Sequence, residues 1–229
     1  MKEYADIINA MDVLKIVENK ITVEELKQNK LEQFFRFCKD DNEKKEALQY
    51  VEEAFSVISP FLSNISLEEY DAIIRYGNKI GTVSYEINES LRNNLPLSSE
   101  NKNIINLIDS AMDKFNLDEE LVVYRALKQS DIATIRGTDK GYMSTSLTIE
   151  NSYAYFEDYE IVLEIKLPVG SKCMYIEWFK GSTDELELIL GRGTTIDIGN
   201  MRKEIINGKE KNIYSCTVLQ KDLEINNKL

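Results

Sequence analysis

The sequence predicts an α+β protein with its helices first and its strands afterwards. Up to about residue 115, apolar residues recur at three- and four-residue spacing; after Leu121 they fall into short β-rich runs separated by Gly, Asp, Asn and Pro. Few of those runs are far enough apart for a crossover helix, which favours antiparallel pairing over a parallel sheet.

Tyr4, Ile7, Ile8, Met11 and Leu14 make one face of a first helix. Thr22 with Glu25 forms a capping box that Ile21 and Leu26 can staple. Leu31, Phe34, Phe35 and Cys38 continue an apolar stripe until Asp40-Asp41-Asn42 breaks it. A further helix through Leu48, Val51, Phe55 and Ile58 is expected to end near Ser59-Pro60. Such a stripe serves as a partner-docking face or, more commonly, packs against its own protein. Ser66 with Glu69 forms a second capping box, stapled by Ile65 and Tyr70, and opens a helix towards Arg75-Tyr76-Gly77. Helices are also expected over residues 84–93 and from about 102 to 115, the latter with Ile104, Ile105, Ile108 and Met112 on one face. A short boundary at residues 60–64 would divide a helical N-terminal extension, 1–62, from a larger domain, 63–229.

The β-rich runs are LVVYRAL, GYMSTSL, EIVLEIKLP, KCMYIEW, ELELIL, TTIDIG and NIYSCTVL. Residues 183–190, read as a strand, are the most suggestive. Alternate residues of a strand share a face about 6.5–7 Å apart. Glu185 and Glu187 are therefore expected side by side, with Leu186, Leu188 and Leu190 in a core. Two carboxylates so placed can divide labour, one stabilising a cation while the other handles a proton. An amphipathic strand wetting its outer face gives the same pattern, so the pair depends on its company.

The 229 residues, 43% hydrophobic and 30% charged, suit one generous domain or a domain with an extension. With 28 Lys and Arg against 40 Asp and Glu, the net charge of −12 repels a phosphate backbone, and no nucleic-acid partner is expected. A local basic patch can still hold a single diphosphate. No apolar run is long enough for a membrane span, and the N-terminus lacks the uninterrupted apolar core of a signal peptide. Cytoplasmic synthesis is expected. Cys38, Cys173 and Cys216 are far apart and form no Cys-x-x-Cys pattern, as suits packed thiols rather than disulfides or zinc. Histidine is absent, which excludes Ser-His-Asp and Cys-His catalysis and His-ligated zinc. Acid–base chemistry must run on carboxylates, Lys, Tyr or Cys.

Three features line up in order: Val123-Tyr124-Arg125, then Ser144-Thr145-Ser146, then Glu185-Leu186-Glu187. This order resembles the Arg–Ser–Glu mono-ADP-ribosyltransferases, in particular the actin-modifying catalytic components of clostridial and bacillary binary toxins. Upstream, Glu86-Ile87-Asn88 with Leu91-Arg92 looks like that group's Ile-Asn-x-x-Leu-Arg helix, and residues 163–170 resemble its hairpin lead-in. The resemblance covers roughly residues 63–218 and makes 63–229 the catalytic domain. It implies two packed, mainly antiparallel sheets flanked by the N-terminal helices, with NAD as substrate in a cleft between the sheets.

The residue types fit that chemistry. Breaking the nicotinamide–ribose bond of NAD leaves an oxocarbenium-like cation, which a fixed carboxylate stabilises. The resemblance gives that role to Glu187, at the ribose 2′-hydroxyl, with Ser144 orienting its carboxylate and Thr145 and Ser146 tying the strand. It gives the diphosphate to Arg125, whose planar fork suits phosphate oxygens. Arg92 is implied as a second phosphate or ribose contact, against the alternative of a surface arginine paired with Glu89 or Glu86. Asn88 is implied near the nicotinamide. Glu185 would select the acceptor: Glu here accompanies transfer to arginine, and Gln accompanies Asn or Gln acceptors. Tyr175, Trp178 and Phe179 fall on the implied substrate-recognition turn, where they either contact the target protein or fill the core beneath. No arginine lies between Ser146 and Arg192, although relatives commonly place one in the phosphate–nicotinamide loop, here residues 151–159 with Tyr153, Tyr155, Phe156 and Tyr159. No metal is expected. The implied partner is a target protein bearing the acceptor arginine, with actin the leading candidate, reached by delivery into a host cell; residues 1–62 could dock a delivery partner. Two alternatives stand beside this: an NAD glycohydrolase, with water as acceptor, and a catalytically silent docking module of the same fold.

Overall fold

The computed structural model describes residues 7–78, 81–115, 117–129, 137–153, 159–180, 185–206 and 208–219. The chain falls into two compact units. The first, Met1–Ile87 with Pro96–Phe115 and Tyr175–Thr183, is helical. It carries α1 (Ala10–Val17), α2 (Val23–Phe35), α3 (Asp41–Leu62), α4 (Leu67–Gly77), the start of α5 (Val83–Asn93), and α6 (Ser99–Lys114). Asn9, Thr22 and Ser66 open α1, α2 and α4 through reciprocal capping boxes with Asp12, Glu25 and Glu69. Asp40 caps α3, so the polar run that breaks the apolar stripe also starts the next helix.

Helix α3 does not stop at Ser59-Pro60 but continues to Leu62 with Pro60 inside it. A proline in mid-helix removes a backbone bond and clashes. Here the loss is confined to the last turn, where Phe61 and Leu62 are buried and the Asn64 side-chain amide donates to the Pro60 carbonyl at 2.6 Å. The boundary expected at residues 60–64 therefore does not separate the two units, since α1 packs on both α3 and α4. Glu69 pins α4 to α6. It accepts from Lys114 Nζ at 2.6 Å and Ser110 Oγ at 2.7 Å while closing its own capping box. Burial works to raise the Glu69 carboxyl, but the hydrogen bonds from Lys114, Ser66 and Ser110 outweigh it and hold the group below its ordinary value.

The second unit, Asn88–Leu95 with Asn116–Met174 and Asp184–Leu229, is built on a sheet. Its strands are β1 (Leu121–Leu127), β2 (Gly137–Asp139), β3 (Met143–Ser146), β4 (Ile161–Leu167), β5 (Cys173–Tyr175), β6 (Glu187–Leu190), β7 (Thr194–Ile206) and β8 (Lys209–Leu219). They lie in the order β2-β7-β8-β4-β1-β3-β6-β5. The β4–β8 pair is parallel; β1–β3, β1–β4, β2–β7, β3–β6 and β7–β8 are antiparallel. The mixed α+β class and the antiparallel majority match the expectation, with the strands joined edge to edge in one hydrogen-bonded order.

Strands β7 and β8 outrun TTIDIG and NIYSCTVL and pair as far as Ile206 opposite Lys209. The register shifts between Ile198 and Met201, where a Cβ on Gly199 would meet the Ser215 carbonyl oxygen at 3.0 Å. Beyond the shift the strand is charged, yet it is held. Arg202 reaches Glu164 on β4 at 2.7 Å and Glu204 at 2.7 Å. A short helix, α7 (Ile149–Tyr153), follows β3 and was not anticipated. Thr148 starts it, its hydroxyl accepting from the Asn151 N–H at 3.2 Å.

Candidate active site

The cleft arises from a mismatch in pairing around β1. On one side β1 meets β4 along seven registered pairs, from Leu121 opposite Leu167 to Leu127 opposite Ile161. On the other it meets β3 at one pair only, Tyr124 opposite Ser146. The two strands splay apart, and a cleft of about 280 Å³ opens there. Its walls are Tyr124, Arg125, Ala126 and Leu127 of β1, Ser144, Thr145 and Ser146 of β3, Asn151 and Ser152 of α7, Tyr159, Glu185 and Glu187.

All three sequence features thus reach one cleft. Arg125 Nη1 donates to the Ser144 carbonyl at 2.6 Å, bridging the splayed strands. The Ser144 hydroxyl, on the exposed face of β3, donates to Glu187 Oε1. Thr145 and Ser146 turn inwards and fasten the neighbouring segment. Thr145 Oγ1 donates to the Leu188 carbonyl and Ser146 Oγ to the Glu185 carbonyl, each at 2.6 Å.

The two glutamates do not share the cleft by strand alternation. β6 starts at Glu187, and Leu186 has φ +47°, in the left-handed region. Residues 183 and 184 lie outside the described residues, so the strand read over 183–190 is present from Glu187 onwards. A left-handed leucine costs about 1–2 kcal/mol. The turn is held by Leu147 N–H donating to the Leu186 carbonyl at 3.0 Å, beside the Ser146 bond. A turn, and not a pleat, brings Glu185 to the wall beside Glu187.

Arg92 and Asn88 do not line this cleft. They sit one turn apart on α5 and clamp the bend between β2 and β3. Arg92 Nε and Nη2 donate to the two oxygens of Asp139 at 2.8 and 2.9 Å, and Nη2 also to the Tyr142 carbonyl at 3.0 Å. Asn88 Oδ1 accepts from the Tyr142 N–H at 2.8 Å, and Asp139 from the Gly141 N–H at 2.9 Å. A Cβ on Gly141 would come within 2.7 Å of Asn88 Oδ1, so a larger residue there would push the Asn88 side chain aside. Arg92 does pair with a carboxylate, that of Asp139. In this arrangement it holds the β2–β3 bend.

Trp178 and Phe179 are buried at 1% and 0% exposure within the helical unit. The Trp178 ring lies 5.2 Å from Tyr175 and 6.5 Å from Phe61, and Phe179 lies 6.0 Å from Phe61. Of the two readings open to these aromatics, burial selects the core and not contact with a target surface. Tyr153, Tyr155 and Phe156 lie where the side chains are outside the described residues, and Tyr159 alone of that loop's aromatics is seen on the cleft wall.

Sequence reasoning missed Asn151, Ser152 and Tyr124 as cleft residues. The Thr148–Asn151 cap was the available signal for the first two. Burial, and then the charge of Glu164, push the Tyr124 phenol above its ordinary value.

An arginine, a serine-tethered glutamate and a second glutamate around a cleft at the mouth of a splayed sheet define a polar site suited to a charged or developing-cation substrate. The sequence profile of the ADP-ribosyltransferase exoenzyme family matches residues 46–221, and the chain belongs to that family. Solved structures agree on the fold. Plx2a, an ADP-ribosyltransferase toxin from Paenibacillus larvae, superposes with a TM-score of 0.62 at 21% identity, over 74% of this chain and 94% of that one. BECa, an ADP-ribosylating toxin of a binary enterotoxin of C. perfringens, solved with NADH, gives 0.59 at 18% identity over 73% of this chain and 47% of its own. C3stau2 from S. aureus, solved with NAD, gives 0.57 at 22% identity over 72% and 92%. No curated protein sequence matches the chain.

Proposed function

We propose that this ADP-ribosyltransferase uses NAD, cleaves its nicotinamide–ribose bond and transfers ADP-ribose to an arginine of a target protein, with actin the leading candidate. The observation that carries the reading is the Ser144 hydroxyl bound to the Glu187 carboxylate in a cleft shared with Arg125 and Glu185. A cleft of about 280 Å³ suits the nicotinamide–ribose end of the dinucleotide, since sites for whole drug-sized ligands run from about 300 to 1,000 Å³. As the C–N bond breaks, its electron pair leaves with nicotinamide and positive charge develops on the ribose. Glu187, fixed by Ser144, takes the 2′-hydroxyl and stabilises that charge. Arg125 takes a diphosphate oxygen. Glu185 pairs with the incoming guanidinium and removes its proton as the new C–N bond forms. Arginine stays protonated far above neutral pH, so that proton leaves late. Delivery into a host cell belongs to the same reading; among the described residues no helix is long and apolar enough to cross a membrane.

The test follows nicotinamide release from NAD and label transfer to an arginine analogue or a cell extract. Glu187→Gln is expected to abolish both signals. Glu185→Gln is expected to remove transfer and leave some nicotinamide release, which is also the behaviour of a glycohydrolase. Two variants that match the wild type in both assays would refute the roles, and a wild type without nicotinamide release would leave the silent docking module.

A further inference from the structure

Strand β8 directs Lys211 and Ile213 to its buried face, and Lys211 is only 4% exposed. An apolar residue would ordinarily fill such a position, because a buried ammonium is costly unless it is hydrogen-bonded. The Lys211 ammonium donates to the Tyr159 carbonyl. Two further bonds hold the same short segment. The Asn212 N–H donates to the Glu160 carbonyl at 2.9 Å, and Glu160 Oε2 accepts from the Gln129 N–H at 3.2 Å. Residues 159 and 160 are thereby fixed to β8 on one side and to the end of β1 on the other.

The same segment carries the ring of Tyr159. It packs against Ala126, Val162 and Ile213, lies 5.7 Å from Lys128 Nζ by its centroid, and forms part of the cleft wall with Arg125 and Glu187. Lys211 is not itself a cleft residue. We propose that Lys211 is a positioning residue for substrate binding: it holds the Tyr159 backbone so that the ring stands as a flat wall against which the planar heteroaromatic end of the dinucleotide stacks. This rests on the NAD-cleaving reading above. An ammonium suits the task better than an apolar side chain because its bond is directional and charge-assisted.

The test compares the wild type with Lys211→Met, Lys211→Arg and Tyr159→Ala at limiting and saturating NAD. Lys211→Met keeps most of the stem volume and loses the donor. It is expected to raise KM for NAD about tenfold while kcat stays within about twofold. Lys211→Arg is expected to recover most of that loss, and Lys211→Met to add nothing in the Tyr159→Ala background. An unchanged KM, a fall in kcat alone, or full additivity with Tyr159→Ala overturns the proposal. Hydrogen exchange at residues 159–161 without NAD reads the tether independently of turnover. Lys211→Met should speed it at least about tenfold while β3 and β6 amides are unchanged, and equal exchange would also overturn the proposal. A wild type that releases no nicotinamide would defeat the enzymatic reading, and the exchange result would then decide the tether by itself.

Discussion

Replacing Ser144 with alanine removes one hydroxyl from the cleft and leaves its frame intact. The Ser144 carbonyl, which accepts from Arg125, belongs to the backbone, and so does the pairing of Ser144 with Ile189 on β6. The side chain is exposed, so the folding cost should stay within about 0.5 kcal/mol. What is lost is the donor to the Glu187 carboxylate. A hydrogen bond to a charged group contributes about 1.5–3 kcal/mol, and each 1.36 kcal/mol of barrier is about tenfold in rate. If the bond holds Glu187 where ribose charge develops, kcat should fall about 10- to 150-fold with KM within about threefold. Initial rates of nicotinamide release across NAD concentrations measure both, with thermal melting as the control for folding. The double variant with Glu187→Gln should be no slower than Glu187→Gln alone, because the serine acts through that carboxylate. A folded Ser144→Ala protein with wild-type kcat would refute the reasoning, and so would a change confined to KM.

Asp139→Asn should weaken the clamp on α5 and lower stability by about 1 kcal/mol, because the Arg92 side chain is partly exposed and its pairing is screened. Melting temperature and KM for NAD distinguish this from a substrate contact: the first should fall and the second stay within about twofold. Glu69→Gln should cost about 2 kcal/mol at neutral pH, the charge-assisted bonds from Lys114 and Ser110 being lost. The sign with pH follows from the depressed carboxyl. Its stabilisation is complete above its ordinary value of 4.5 and fades as pH falls through the lower folded value, so wild type and variant should converge in acid melts. A constant gap down to pH about 3 would contradict the assigned partners.

The parts of this protein legible in the sequence are those fixed by short spacing or by order along the chain. The boxes at Thr22–Glu25 and Ser66–Glu69 are three-residue patterns whose geometry a helix guarantees, and both are present. LVVYRAL coincides with β1 residue for residue. The Arg125, Ser144, Glu185 and Glu187 cluster was approached through motif order, and the four do share one cleft. The misses have long-range causes. Asp139, the partner of Arg92, is 47 residues away, so nearby glutamates looked the natural candidates. Pro60 reads as a helix end unless one knows that Phe61 and Leu62 bury the final turn. The charged stretch after Gly199 belongs to none of the β-rich runs, and the group that binds its Arg202 is Glu164, 38 residues earlier. Nothing local announces that Leu186 is left-handed, because leucine is among the residues least suited to that conformation.

The sheet order carries a consequence for biogenesis. β8 is the last described strand in the chain but lies in the interior of the sheet, antiparallel to β7 and parallel to β4. Until residues 209–219 have been synthesised, β7 and β4 cannot meet through it, and the ladder beneath β1 has an open edge. Such non-local pairing is intrinsically slow to form. A chain still being made would therefore expose the free edge of β4, and the sheet would close only when the last described strand inserts between β4 and its immediate predecessor β7.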